Sequence, residues 1–364
     1  MTDLLADELS AHPHQKKMNV QNINTSSLET KYGLRIDSEL ETRQLGRSKQ
    51  DHVAHGNYPS SSDFSSVLDT HTYWLATFDG HGNNQAPNRI RSAPLDEIME
   101  KPASWAHLQT FINSDDKADG QTKLKSGSTM VYAKAEVSPT GIEVTITNIG
   151  DSTAVVFLNG EPIFVTTQQD YENGAEMARI IKENRVNIQM PLVKQDSNFE
   201  VLSPNTLRSI EGTYIEFVSP EGRQTLSMSQ CLGHGGITGL KPDVTVFNFN
   251  PTDTIKVVLF SDGISDVMPV IGAVASSTIP FMTTPTSMLD EAERRWKQEW
   301  NVHSGTDLRK IYQTKFPKNG YDDCCCAMLT IQPDIVSVPP PLPPCIVESA
   351  QPKTDVEEDT DIYA

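Results

Sequence analysis

Four aspartates stand where an apolar run meets a break in the chain. Asp79 follows Thr72–Phe78 in Phe78-Asp79-Gly80-His81-Gly82, and Asp151 follows Ile142–Asn148 in Asn148-Ile149-Gly150-Asp151-Ser152. Asp262 follows Ile255–Phe260, and Asp322 in Gly320-Tyr321-Asp322-Asp323 comes just before Cys324–Ile331. Burying a carboxylate costs on the order of several kcal/mol unless a countercharge meets it. Strand ends of one core converge in space, so these acids would repel one another unless hard cations sat among them. The pattern predicts an enzyme holding divalent metals in an all-oxygen site.

The strands themselves are marked by turns. Thr129–Val137 and Ile142–Asn148 flank Ser138-Pro139-Thr140-Gly141, a hairpin signal, and Ala154–Leu158 and Pro162–Thr166 flank Asn159-Gly160, a stronger one. Ile142, Val144 and Ile146 alternate with polar residues, as a half-buried strand requires. Three helical faces are expected. One holds Trp105, Leu108, Phe111 and Ile112, and one holds Met177, Ile180 and Ile181. The third holds Met288, Leu289, Ala292, Trp296 and Trp300 behind Thr286-Ser287 as caps. Consecutive hairpins mixed with helices predict an antiparallel sheet covered by helices. Residues 183–230, with Pro191, Pro204 and Pro220, read as a surface excursion bordering a substrate site.

Residues 1–32 are polar and weakly patterned, and are expected to be flexible. Residues 334–364 hold the run Pro339-Pro340-Pro341-Leu342-Pro343-Pro344 and an acidic stretch, which reads as a disordered tail. The domain expected between them is 33–333. Lys and Arg number 30 against 48 Asp and Glu, a net charge of −18, which disfavours nucleic acid and anionic membrane as partners. Cys324, Cys325 and Cys326 are consecutive, which suits neither a disulfide framework nor a zinc site. They read as small apolar residues of a buried strand in a reducing compartment, cytoplasmic or nuclear. His12, His14, His52, His55, His71 and His303 show no metal spacing and read as exposed, and His234 reads as a loop residue.

Carboxylate oxygens select Mg²⁺ or Mn²⁺ over softer metals, and two such ions can share a carboxylate and a water. Asp79-Gly80-His81-Gly82, Ser126-Gly127-Ser128-Thr129, Asn148-Ile149-Gly150-Asp151-Ser152, Ser261-Asp262-Gly263-Ile264-Ser265-Asp266 and Asp322-Asp323 resemble, in order and spacing, the motifs of the protein phosphatase 2C family. These are metal-dependent serine/threonine phosphatases. The resemblance implies an α+β fold in which a central antiparallel β-sandwich is flanked by helices, with the metal site at one edge. It implies hydrolysis of phosphoserine and phosphothreonine in proteins by a hydroxide bridging two Mg²⁺ or Mn²⁺ ions, with a third ion in some members; the chain is expected to act as a monomer on phosphorylated proteins. By it, Asp79 resembles the shared ligand, Gly80 a carbonyl ligand, and Asp262 and Asp322 further ligands. Asp51 resembles the position that holds metal-bound water, and Asp151 and Asp266 resemble third-ion ligands. His81 resembles the general acid.

The chain also departs from the family. Gly46 stands where the family's phosphate-clamping arginine is expected, and a one-residue slip brings Arg47, which follows it, to that role beside His81. His234 replaces an acid, Asp323 replaces an asparagine and adds negative charge, and Asn83-Asn84-Gln85-Ala86-Pro87 is a poor helix start. Arg47, His234 and Asp323 motivate an alternative, a catalytically weak or inactive phosphatase-like binding or scaffold module.

Overall fold

The structure, a computed structural model, describes residues 20–334 apart from positions 31–32, 47–48, 60–69, 114–125, 188, 220–221, 273 and 305–306. Two large antiparallel sheets form the centre of the described residues. One has six strands in the order Val20–Glu29, Leu34–Arg43, Cys324–Pro333, Ile255–Phe260, Thr153–Leu158 and Glu161–Val165. The other has five, in the order Asp243–Phe249, Gly141–Ile149, Met130–Ser138, His71–Phe78 and His52–Pro59. Both hairpins read from the sequence form, and Asn159 and Gly160 turn at φ 52° and 91°.

Side chains on a strand alternate between faces, and here both faces are covered. Val257 and Leu259 join Leu75, Val131, Val144 and Leu329 in the core between the sheets. Val258 and Phe260, one position on, face outward with Cys324, Cys326 and Met328 against Met288, Leu289 and Trp296 of the Pro285–Lys297 helix. On the far side of the second sheet, Trp74, Met130 and Tyr132 pack against Ile90, Ile98, Leu108 and Ile112 from three short helices. Double coverage explains why Ile255–Phe260 and Cys324–Ile331 are apolar without alternation. The fold is α+β, a β-sandwich between helical layers, as the motifs implied.

Several local expectations change. The helix over Gly174–Lys182 forms, but Ile181 is 61% exposed while Glu176 and Arg179 turn inward. The third helix ends at Lys297, so Trp300 opens a strand instead. Its cap is Thr284, whose hydroxyl accepts from Ser287 N, with Pro285 preset for the first turn. A helix does start after Asn84, at Gln85–Ser92, because Pro87 falls in a first turn that needs no amide donor from it. The edge strand Val20–Glu29 lies inside the segment expected to be flexible. His52, His55, His71 and His303 are half-buried, not exposed, because their strands are paired. His12 and His14 lie outside the described residues.

Residues 192–226 form a hairpin and a third strand, Leu192–Ser203, Thr206–Ser219 and Gly222–Leu226, joined to Trp300–Ser304 and Asp307–Thr314. Ile215, Phe217 and Leu226 anchor this outlying sheet on Tyr171, Ile180, Met228 and Cys231. Among the described residues no helix is long and apolar enough to cross a membrane.

Candidate metal centre

The two sheets bring separate strand ends to one place. Asp79 ends the His71–Phe78 strand, where Thr129 N donates to its carbonyl at 2.9 Å. Asp151 sits in the turn between Gly141–Ile149 and Thr153–Leu158, with Gly150 at φ 102°. Asp262 begins a single helical turn directly after Ile255–Phe260, with Asp266 just beyond that turn. A Cβ on Gly263 would lie 2.0 Å from the Asp323 carbonyl oxygen, so only glycine lets the two chain segments cross here.

Carboxylate oxygens of Asp79, Asp151 and Asp262 all lie within 4.8 Å of one another. Asp151 Oδ1 and Asp262 Oδ1 are buried with no hydrogen-bond partner. Burial pushes the Asp79 carboxyl well above its ordinary range, and Asp262 and Asp51 push it further. Burial likewise raises Asp151, with Asp262 and Asp266 adding to it. Asp266 rises through burial and Asp262, and Asp322 through burial, Asp262 and Asp51. Asp51 is pushed up to about 7, chiefly by burial, although its Oδ2 accepts a 2.7 Å hydrogen bond from Ser261 Oγ. Asp51, Asp79, Asp151, Asp262, Asp266 and Asp322 therefore form one electrostatic unit, with Gly80 next to Asp79.

Left bare, this unit is repulsive and under-bonded. Unsatisfied buried oxygens and an all-carboxylate donor set fit a hard divalent cation such as Mg²⁺ or Mn²⁺. Soft metals would prefer other donors.

Asp323 behaves differently from its neighbours. It is buried, but Oδ1 accepts from Gly46 N at 2.7 Å and Oδ2 from Gln50 N at 3.1 Å. An asparagine offers one acceptor oxygen, so the carboxylate is what holds both ends of the loop. The extra charge expected there is tied up in backbone bonds, although it still raises Asp51. Arg47 lies outside the described residues. Arg91, which carried no sequence signal, donates through Nη2 to the carbonyls of Lys49 at 2.8 Å and Asp51 at 3.1 Å, fixing the same loop from the other side.

His81 lies on the short strand Gly80–Gly82 paired with Ser126–Ser128. Its Nδ1 is 2.8 Å from His234 Nε2. His234, read from the sequence as a loop residue, opens a single 3-10 turn and is 2% exposed. Burial, then the neighbouring His234, hold the His81 imidazole well below its ordinary pKa.

Comparison with known proteins supports the motif reading. The family model for protein phosphatase 2C matches residues 38–203, a span that includes Asp51, Asp79, His81 and Asp151 and stops before Asp262 and Asp322. A probable protein phosphatase 2C from rice (Oryza sativa subsp. japonica) is 25% identical over 177 residues, or 44% of this chain. The chain spans about half (52%) of that relative's length. The crystal structure of a serine-threonine phosphatase 2C from Toxoplasma gondii superposes with a TM-score of 0.50 at 14% identity, covering 85% of this chain and 100% of that one. In sequence over residues 38–203, and in fold over most of its length, the chain resembles the protein phosphatase 2C family.

Proposed function

We propose that this chain is a metal-dependent phosphatase that hydrolyses phosphoserine and phosphothreonine esters in proteins. The observation that carries this reading is the convergence of Asp79, Asp151 and Asp262, with two unsatisfied oxygens, and His81 follows Asp79 by two residues. Asp79, the Gly80 carbonyl, Asp262, Asp322 and Asp51 would hold two Mg²⁺ or Mn²⁺ ions, and Asp151 and Asp266 a third. Bound there, such ions supply Lewis-acid charge for the phosphoryl oxygens and make water acidic enough to attack.

The chain's own residues do the rest. Ser261 Oγ–H orients Asp51 by donating to its Oδ2. Asp323 and Arg91 fix the loop that presents Asp51. With His234 Nε2–H donating to His81 Nδ1, the His81 proton sits on Nε2, the ring atom without a partner. From there it can pass to the departing serine or threonine oxygen. Burial and His234 disfavour the imidazolium, the form that acts as the acid; the negative charge of an arriving phosphate favours it, and His81 Nδ1–H then donates to His234 Nε2 in its other tautomer.

Mn²⁺-dependent release of phosphate from a phosphothreonine peptide, abolished by EDTA, is the expected result. Equal rates with Mn²⁺ and with EDTA would sink the enzymatic reading and leave a binding module.

A further inference from the structure

A second set of ligand atoms lies outside the carboxylate centre. Nitrogens of His81 and His234 and the sulfur of Cys231 all fall within 4.8 Å of one another. Cys231 is fully buried and His234 is 2% exposed. His81 Nε2 is buried and has no hydrogen-bond partner. Imidazole and thiolate are the donors of zinc-class ions, and Cys231-Leu232-Gly233-His234 has the Cys-x-x-His spacing that lets one turn supply two of them.

The backbone is shaped to bring the rings together. Gly233 at φ 81° and His234 at φ 44° place two successive residues in the left-handed region, where a histidine sits at a cost. The two imidazoles stack at 4.8 Å between centroids and 7° between planes. They lie over Gly127, where a Cβ would come 2.4 Å from His234 Cδ2 and 2.5 Å from His81 Cε1. Phe217 walls the pair edge-on at 5.8 Å. One side opens to a cavity of about 490 Å³ lined by His81, His234, Gln195, Arg223 and Gln224.

We propose that His81, Cys231 and His234 form a binding site for a zinc-class divalent cation, with a fourth coordination position facing that cavity. Binding forms one metal–sulfur and two metal–nitrogen bonds. The Cys231 thiol proton leaves to solvent, the proton on His234 Nε2 moves to that ring's Nδ1, the Sγ contact to Thr238 Oγ1 at 3.6 Å is given up, and the hydrogen bond between the imidazoles breaks. Two nitrogens on one tetrahedral ion stand roughly 3.3 Å apart. The rings must therefore part by about 0.5 Å from 2.8 Å, a small side-chain rotation. An ion on His81 Nδ1 keeps that ring from becoming imidazolium, so zinc would inhibit the proposed phosphatase without occupying its carboxylates.

X-ray absorption at the zinc edge, on full-length wild-type protein with excess Mg²⁺, tests the site without any variant. One sulfur at about 2.3 Å with imidazole nitrogens is expected. A shell of oxygens alone overturns the proposal. In equilibrium dialysis with Zn²⁺, Cys231→Ser and His234→Asn should each weaken binding by at least roughly 10–100-fold, whereas Asp262→Asn should not. Zinc lost in Asp262→Asn and kept in Cys231→Ser would refute it. Because zinc binding is read directly, a protein without Mn²⁺-dependent hydrolysis can still pass or fail this test.

Discussion

Two of the regions that bury acids answer the cost in opposite ways. Around Glu176, the protein supplies its own counterions. Arg179 donates through Nε and Nη2, Ser229 Oγ at 2.6 Å and Gln230 Nε2 at 3.0 Å. Burial alone would raise the Glu176 carboxyl, but these bonds, Arg179 first, bring it below its ordinary range. Around Asp262 the neighbours that act are other aspartates, and five carboxyls are pushed up. Asp323 lies between the extremes, surrounded by acids but held by two backbone amides. Glu176, whose carboxylate the protein's own donors satisfy, is structural, and Asp151 and Asp262, each with an oxygen that finds no partner, are built for something that arrives from outside.

Substitutions should separate the two regions. Asp262→Asn is expected to lower Mn²⁺-dependent hydrolysis of p-nitrophenyl phosphate by on the order of 10³-fold. It should also raise the melting temperature of metal-free protein, because it removes a repelling charge. Full activity in that variant would erase the contrast. Glu176→Ala should do the reverse, leaving Arg179 buried and unpaired at a cost of about 3–5 kcal/mol in denaturant unfolding. Mn²⁺ affinity, measured by calorimetry, should stay unchanged.

The pH dependence of metal binding sharpens the comparison. Raised carboxyls hold protons in the folded state that the unfolded state has already lost, so metal-free stability falls as pH climbs from about 4 through about 7, the Asp51 window. His52, held near 4 by burial and Arg91, works in the opposite direction over part of that window, as do the lowered His55 and His81. The Mn²⁺-induced rise in melting temperature isolates the carboxylates, because protons compete with the ion for the same oxygens. It should be small near about pH 5 and large near about pH 8, and a flat profile would speak against the acids as ligands. The smallest effect is expected from Asp323→Asn. One of the two amides at Gly46 and Gln50 would face an NH₂ group, costing about 1–3 kcal/mol in thermal or denaturant unfolding with the metal-dependent rate only modestly lowered.

Much of the fold was legible because its signals are local. Asn159-Gly160 marks a hairpin wherever it falls, and an apolar run ending in Asp-Gly marks a strand end. What needed a distant partner was not legible. The strand at Val20–Glu29 is polar and acquires its structure from Leu34–Arg43. Burial of Glu176 and Arg179 ahead of Ile181 reflects Ser229 and Gln230, some fifty residues on. Arg91 looked like any surface arginine, because its acceptors are backbone carbonyls from another segment.

The amino-acid sequence by itself determined that carboxylates would stand at the ends of core strands, since residue type and hydrophobic pattern fix where a strand stops. Only the tertiary structure decided which of them would share one small volume, that Asp323 would be bonded while Asp262 would not, and that His234 would stack on His81. Those outcomes depend on distances between segments far apart in the chain, which pairing and packing set and local composition does not encode.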